Sequence, residues 1–404
     1  MRILIATAGS RGDVAPYTGL GAELRRAGHD VALATTDAFA PLVRDAGLEF
    51  RRLPADPRAP GGVTAGRDLM RAAAAFVMEL GEGFADAVAE GTDLLLLSAT
   101  TAPLGWHLTE ATGTPSLGVY LQPTEPTGDF PPVVMGSRSL GRFGNRAAGR
   151  FALRMADRVY EEAVAKLRHR LQLPPASPSE IRRRQARANR PVLHGFSTAL
   201  VPRPSDWPSG MRVVGNWWPH HDAAAQLPAD LEDFLRAGSR PVLIGFGSMA
   251  SEDGARLSEI AARALRGAGL RGILQAGSAG LAADGDDVLT IGEVPHALLF
   301  PRLAAVVHHA GAGTAAAALR AGVPAVTVPV AADQPFWAAR LAALGAATAP
   351  IPFRSLTAER LADALHRVVT QQAYARAAMR AAHHMATEDG AGQALKAVGQ
   401  LTEG

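Results

Sequence analysis

Apolar residues along this chain alternate between short unbroken runs and longer stretches of helical spacing, with glycine at the junctions. Residues 2–7 are an apolar run that reads as a buried strand. A glycine-bearing loop covers 8–14, helical spacing takes over at about 16–27, Gly28 stops it, and residues 30–35 read as a second strand. A strand–helix–strand unit of this kind predicts the start of a parallel sheet. The rhythm continues with helices over 39–46 and 69–90, a continuously apolar strand over 93–97 and another over 115–119. A second series begins with a strand at 241–246, turns at Gly247-Ser248 and enters a helix over 254–268. Strands at 272–275, 288–291, 304–308 and 325–328 follow, with helices near 295–300 and 315–321 between them. Residues 357 to 386 read as helix, broken by Glu388-Asp389-Gly390 before a final short helix. The predicted fold class is α/β, two Rossmann-like domains with parallel sheets facing across a cleft.

Proline marks the division between the halves. Pro202, Pro204, Pro208 and Pro219 surround Trp207 and the Trp217-Trp218 pair. The expected boundaries are an N-terminal domain over 1–205, a linker over 206–225, a C-terminal domain over 226–385, and a last helix over 386–404 returning to the N-terminal domain. At 404 residues, 48% hydrophobic and 20% charged, the chain is in the globular range, and without cysteine it has no thiolate metal site or cysteine nucleophile. Its first residues enter a strand at once and meet Arg11 and Asp13, unlike a signal peptide, and no apolar stretch approaches a membrane span, so a cytoplasmic protein is expected.

Charge is unevenly spread. Residues 138–190 hold 14 Lys and Arg against 4 Asp and Glu, or +10, leaving −7 of the net +3 to the rest of the chain. Arg138, Arg142, Arg146, Arg150, Arg154 and Arg158 recur every fourth residue and would form one ridge on a helix. A solvated helix face accounts for this; contact with an acidic acceptor, a lipid surface or nucleic acid is the alternative, and a homodimer interface is a further use of the ridge. Without interleaved aromatics or a nucleic-acid motif, no nucleic-acid partner is expected.

Candidate chemistry lies at strand ends. Val307-His308-His309-Ala310-Gly311-Ala312-Gly313-Thr314 joins a predicted strand to a predicted helix, where ligands bind in parallel sheets and a helix N-terminus presents free N–H groups. Gly311 and Gly313 permit close backbone approach, Thr314 offers a hydroxyl, and His309 can bond an anionic oxygen, as a cation where its pKa is raised. Asp333-Gln334-Pro335 follows the next strand, and a carboxylate beside an amide suits vicinal hydroxyls. A tight turn with a core histidine, and a polar loop with an Asp cap, are the structural alternatives. Asp284-Gly285-Asp286 lies in a polar loop and is not expected to bind a metal.

Together with Gly9-Ser10-Arg11-Gly12-Asp13-Val14-x-Pro16 at the start of the chain, these motifs resemble those of the GT-B-fold, family 1 glycosyltransferases of actinobacterial natural products, most of all the glycopeptide-antibiotic, macrolide and sterol branches. The resemblance covers essentially the whole chain. It implies an inverting glycosyltransferase that uses a UDP- or dTDP-sugar and a lipophilic hydroxylated acceptor, without metal or other cofactor. It places His309, Gly311, Gly313, Thr314 and Ser248 at the donor diphosphate, Asp333 and Gln334 at the donor sugar, and Gln275 and Val294 at the nucleobase. Many relatives carry a Gly-His-x-x-Pro base; here Asp13 stands in that position, as in the glycopeptide branch, and the supporting position falls on Ser98. Asp13 is thus the implied catalytic base, with a cap on the first helix or a partner for Arg11 as its structural alternative and Asp333 as the second candidate for the base. Ser10, Trp106 and His107 are assigned to the acceptor pocket, with simple packing as the structural alternative for His107, and selectivity is placed in 54–69, 76–84 and 122–142. A nucleotide-sugar 2-epimerase and a catalytically silent partner subunit of a transferase are the alternatives, and C-glycosylation stays open.

Overall fold

The computed structural model describes every residue except 56–66, 223, 248–252, 279, 284 and 403–404. Its first half contains β1 (Arg2–Ala6), α1 (Arg11–Arg26), β2 (Asp30–Thr35), α2 (Ala40–Asp45), β3 (Glu49–Arg52), α3 (Arg67–Ala89), β4 (Leu94–Leu97), α4 (Ala102–Thr112), β5 (Ser116–Tyr120), α5 (Gly141–Arg170), α6 (Pro178–Arg187), β6 (Val192–His194) and β7 (Met211–Val213). The second half contains α7 (Ala229–Arg236), β8 (Val242–Gly245), α8 (Gly254–Ala268), β9 (Gly272–Gln275), β10 (Val288–Ile291), α9 (His296–Leu299), β11 (Ala305–His308), α10 (Ala312–Arg320), β12 (Ala325–Thr327), α11 (Gln334–Ala343), α12 (Ala358–Thr370), α13 (Gln372–Met385) and α14 (Gly390–Thr402).

Two parallel sheets result, as the apolar pattern predicts. The first has seven strands in the order β3-β2-β1-β4-β5-β6-β7 and the second five in the order β10-β9-β8-β11-β12. Leu94–Leu97 illustrates the cause: strands covered by helices on both faces are apolar throughout, and these four leucines are at most 1% exposed. In each sheet the strand order reverses once, between β1 and β4 and between β8 and β11. The loops after those strands open onto a crevice where a doubly wound sheet binds ligands.

Of the elements that differ from the sequence pattern, three do so for identifiable local reasons. Helix α1 begins at Arg11 rather than near Pro16, because Ser10 caps it, so Asp13 lies on the first helical turn. The helix expected over 357–386 divides at Gln371, whose φ of −85° and ψ of 97° are extended. Strand β7 lies within the proline-rich stretch 206–225 and forms the edge of the first sheet, where missing N–H donors are tolerated.

Two apolar clusters join distant parts of the chain. Ala394, Ala397 and Val398 of α14 pack with Ile3, Ile5, Val14 and Trp217 beside the first sheet. Phe130, Val133 and Phe196 of the first half pack with Phe336 and Trp337 of the second. The Phe130 and Phe336 rings meet edge to face, 5.4 Å apart.

Candidate active site

At the end of β1, the backbone N–H and Oγ of Ser10 both donate to Asp13 Oδ2 at 2.8 Å. Gly9, at φ 145°, lies against the same carboxylate: a Cβ there would stand 2.5 Å from Oδ2. Asp13 is half-buried. Burial pushes its carboxyl up, against the two Ser10 hydrogen bonds, which lower it. It therefore caps the helix and presents a carboxylate of raised basicity at once. Ser98 is bonded to Thr101 Oγ1 at 3.1 Å, and Thr101 donates to the Ala6 carbonyl at 2.7 Å, so these hydroxyls brace the strand ends rather than Asp13.

Asp333 stands at the N-terminus of α11 in the opposite half. Its Oδ2 accepts from Gln122 Nε2 at 2.8 Å, across the cleft, and from Trp337 Nε1 at 2.7 Å. Burial pushes the Asp333 carboxyl up; the Trp337 bond opposes this, and the charge of Asp13 pushes the same way as burial. The two carboxylates, one from each sheet, thus sit within electrostatic reach. Gln334 is only 3% exposed, and its Oε1 accepts from the N–H groups of Val330 and Ala331 at 2.8 and 3.2 Å, tying down the loop before Asp333.

The third part follows β11. Ala310 adopts φ 64°, a left-handed conformation that costs a non-glycine residue about 1–2 kcal/mol, and its N–H donates to His308 Nδ1 at 3.0 Å. That turn carries the chain into α10, whose first residues have no side-chain cap. Its N–H groups and partial positive charge are left facing the crevice. The His309 ring lies between two glycines: a Cβ on Gly247 or on Gly311 would stand 2.7 Å from it. Gly313 differs, since a Cβ there would meet no atom within 4 Å. Burial pushes His309 down, so it is neutral at pH 7 instead of cationic, and its buried Nδ1 has no partner among the described residues. Thr314 is half-buried on the same turn.

Gln275 ends β9, with its Oε1 3.0 Å from where a Cβ on Gly245 would be, and Val294 is half-buried just before α9. Ser248 lies outside the described residues, as do Asp284 and residues 56–66 of the expected acceptor segment. Among the described residues, no group of three or more His, Asp or Glu is arranged to hold a metal ion. No described helix is long and apolar enough to cross a membrane.

The acceptor residues separate. Ser10 is exposed beside Asp13, and Trp106 is half-buried with the Arg182 guanidinium 5.7 Å from its ring centroid. His107, in contrast, has no exposed surface. Its Nδ1 accepts from Arg168 Nη1 at 2.9 Å, and the same Arg168 grips Glu110 at 2.8 and 3.2 Å. Burial and the Arg168 charge push His107 down to about 4. It is a structural histidine, and the expected pocket contact is not made. Trp337, Arg11 and His296 lie at the crevice without having been singled out in the sequence, and Gln122 opens the 122–142 segment expected at the acceptor. Arg11 reaches Glu293 across the cleft at 3.1 Å and lies near enough to His296 to help burial push that ring down to about 4. The one signal for Arg11 is its place inside the Gly9-to-Pro16 motif.

Comparison with known proteins gives two family matches. Residues 3–89 match the glycosyltransferase family 28 N-terminal domain, and residues 274–398 match the C-terminal domain of erythromycin biosynthesis protein CIII-like proteins. The chain is 38% identical, over its whole length and 98% of the relative, to the O-mycaminosyltylonolide 6-deoxyallosyltransferase of Streptomyces fradiae. It is 32% identical over 98% of its length to a sterol 3-beta-glucosyltransferase of Arabidopsis thaliana, of which it spans 65%. Among solved structures, the kitacinnamycin glycosyltransferase superposes with a TM-score of 0.76 at 19% identity, covering 99% of this chain and 98% of that one. The glycosyltransferase VinC in complex with dTDP superposes at 0.70 with 21% identity over both full lengths.

Proposed function

This chain belongs to the GT-B glycosyltransferases, and we propose that it moves a sugar from a UDP- or dTDP-sugar to a hydroxyl of a lipophilic natural product, with inversion and without metal. The observation that carries this is the pair Asp13 and Asp333, held by opposite sheets over one crevice, with the uncapped start of α10 beside them. The family's O-mycaminosyltylonolide and sterol relatives support an acceptor of that size and polarity.

In this mechanism the acceptor hydroxyl attacks the anomeric carbon from the face opposite the nucleotide, and Asp13 takes its proton. One C–O bond forms to the acceptor while the C–O bond to the diphosphate breaks, and the electron pair leaves with the diphosphate. A carboxyl of raised pKa is a better proton acceptor when ionised, and general-base help of this kind contributes about 10²–10⁴-fold. The growing diphosphate charge meets the N–H groups of Gly311, Gly313 and Thr314 and the neutral His309 imidazole, and Ser248 is assigned to the same diphosphate from its place in the sequence motif. Asp333 orients the donor sugar, and Gln334 supports it both by holding the loop and by lying next to it. Gln275 and the Val294 backbone receive the nucleobase. Ser10 and Trp106 flank the acceptor. Residues 1–205 together with strand β7 form the acceptor half and 226–385 the donor half, joined by the rest of 206–225, with the helix that starts at Gly390 returning to the first half.

The test is incubation with UDP-glucose or dTDP-glucose, EDTA and a panel of hydroxylated macrolactones, aromatics and sterols, read by mass spectrometry. A sugar-mass adduct that survives EDTA is the expected result. An isomerised nucleotide sugar with no adduct would instead indicate an epimerase, and nucleotide binding with no reaction a silent subunit.

A further inference from the structure

The face of α5 turned away from α3 and α4, against which this helix packs, carries apolar and basic side chains that the fold leaves uncovered. Five of the seven large apolar side chains exposed among the described residues fall between 134 and 151: Val134, Met135, Leu140, Phe143 and Phe151. Single exposed apolar residues are ordinary, but a group of them along one stretch marks an interaction surface. Phe143, at 90% exposure, stands between Arg142 and Arg146 of the arginine ridge, and Phe151 between Arg150 and Arg154. The ridge is thus interleaved with aromatics, unlike the sequence expectation. At 3.6 residues per turn, positions 143, 147, 150, 151, 154 and 158 lie within about 100° of arc, and all six are exposed. Asn145, Gly149, Tyr160 and Ala163 are buried on the opposite side.

The positive charge of this face is not compensated within the fold. Arg142 pairs with Asp129 at 2.8 Å and Arg146 with Asp206 at 2.5 Å. Arg138, Arg150 and Arg154 have no hydrogen bond or ion pair with a described residue, and Arg158 reaches only Met155 Sδ, at 3.7 Å. Asp157, the one acidic residue of α5 before Glu161, is paired with Arg182 at 2.6 Å, and the exposed Glu161 and Glu162 close the stripe at its far end. From 143 to 158 the stripe runs about 22 Å along a convex helix surface. A second copy meeting it across a two-fold axis would set these arginines against their own equivalents. A nucleic acid would use the guanidiniums and the rings but leave Val134, Met135 and Leu140 uncovered. An anionic lipid surface uses every part: rings and aliphatic chains enter the boundary between headgroups and acyl chains, while the guanidiniums stay among the phosphates.

We propose that this face of α5, with the 134–140 loop before it, docks the protein on an anionic lipid membrane surface. Docking of this kind does not depend on the transferase reading. The full chain is mixed with vesicles of phosphatidylcholine alone or with about one third phosphatidylglycerol, and the bound fraction is read by co-sedimentation at low and high salt. The wild type is expected to bind the anionic vesicles about 10-fold or more tightly than the neutral ones, and added salt should weaken that binding. Arg150→Gln with Arg154→Gln should weaken it about 20-fold, and Phe143→Ser with Phe151→Ser at least about 10-fold. All four positions are exposed, so both variants should melt as the wild type does. Arg376→Gln with Arg380→Gln removes the same charge from the exposed side of α13 and should bind as the wild type does. Failure to bind anionic vesicles, unchanged binding by the phenylalanine variant, or an equal loss in the α13 variant would overturn the proposal. So would binding of a single-stranded oligonucleotide without vesicle binding, or self-association that the phenylalanine variant abolishes without vesicle binding; these results would assign the face to nucleic acid or to a second copy.

Discussion

Gln122 Nε2 lies 2.8 Å from Asp333 Oδ2, the oxygen that Trp337 Nε1 reaches from the other side at 2.7 Å. One carboxylate oxygen therefore fixes the loop after β5, in the first half, to α11, in the second. The orientation of Asp333 depends on both halves being in register.

Removing the cross-cleft bond should show in the donor sugar and not in the nucleotide. Gln122→Ala costs about 1 kcal/mol of interaction at a half-buried position, so the fold survives. We expect the donor kcat/KM to fall about 5–10-fold while the dTDP or UDP dissociation constant stays within twofold, measured by initial rates and calorimetry.

Gly313 separates folding from binding. A Cβ there meets no atom of the protein, and alanine in a helical position is favoured over glycine by about 0.5–1 kcal/mol. Gly313→Ala should melt at the same temperature or slightly higher, yet bind the nucleotide sugar at least 10-fold less tightly. Gly311→Ala should instead lower the melting temperature, because its Cβ would stand 2.7 Å from His309 Nε2.

Acidification should destabilise the fold from about pH 6.5 downward. His194 is fully buried, donates from Nδ1 to the Arg212 carbonyl at 3.3 Å, stacks on Trp207 at 4.5 Å, and is pushed down to about 3 by burial. The unfolded chain binds that proton near the ordinary value of about 6.5, so stability is present above it and is lost between there and about 3. His194→Phe should flatten the fall of melting temperature over that range. Asp206 acts lower: burial raises its carboxyl, but hydrogen bonds from Thr127, Arg146 and the Gly128 N–H overcome this and hold it below the usual range. Its contribution is lost only below about pH 4. Asp206→Ala should remove about 2–3 kcal/mol at pH 7, because three hydrogen bonds that tie the loop at Thr127 and Gly128 and Arg146 of α5 together go with it.

How much of this was legible in the sequence follows from which contacts are local. The Leu94–Leu97 run and the glycine-rich turn after β11 declare themselves, because burial on both faces and an uncapped helix start each impose a pattern on consecutive residues. Strand β3 does not: Glu49-Phe50-Arg51-Arg52 is a polar edge, and Arg51 is buried to 6% exposure only through Glu49, Glu90 and backbone carbonyls of α3 and its end. The site divides in the same way. Asp13 and its cap partner Ser10 are three positions apart, whereas Gln122 and Asp333 are 211 apart and His107 and Arg168 are 61 apart. Nothing along the chain distinguishes a pocket histidine from one that completes a buried guanidinium site.

The measurement that tests the account most directly is sugar transfer by Asp13→Asn beside nucleotide affinity and melting temperature in the same preparation. Asparagine keeps an oxygen for the Ser10 N–H and removes a carboxylate whose raised pKa means that folding disfavours its charge above that pKa. The account predicts transfer reduced about 10²–10⁴-fold, a nucleotide dissociation constant within twofold of wild type, and an unchanged or higher melting temperature. Transfer at more than a tenth of the wild-type rate would contradict it and move the base to Asp333 or elsewhere.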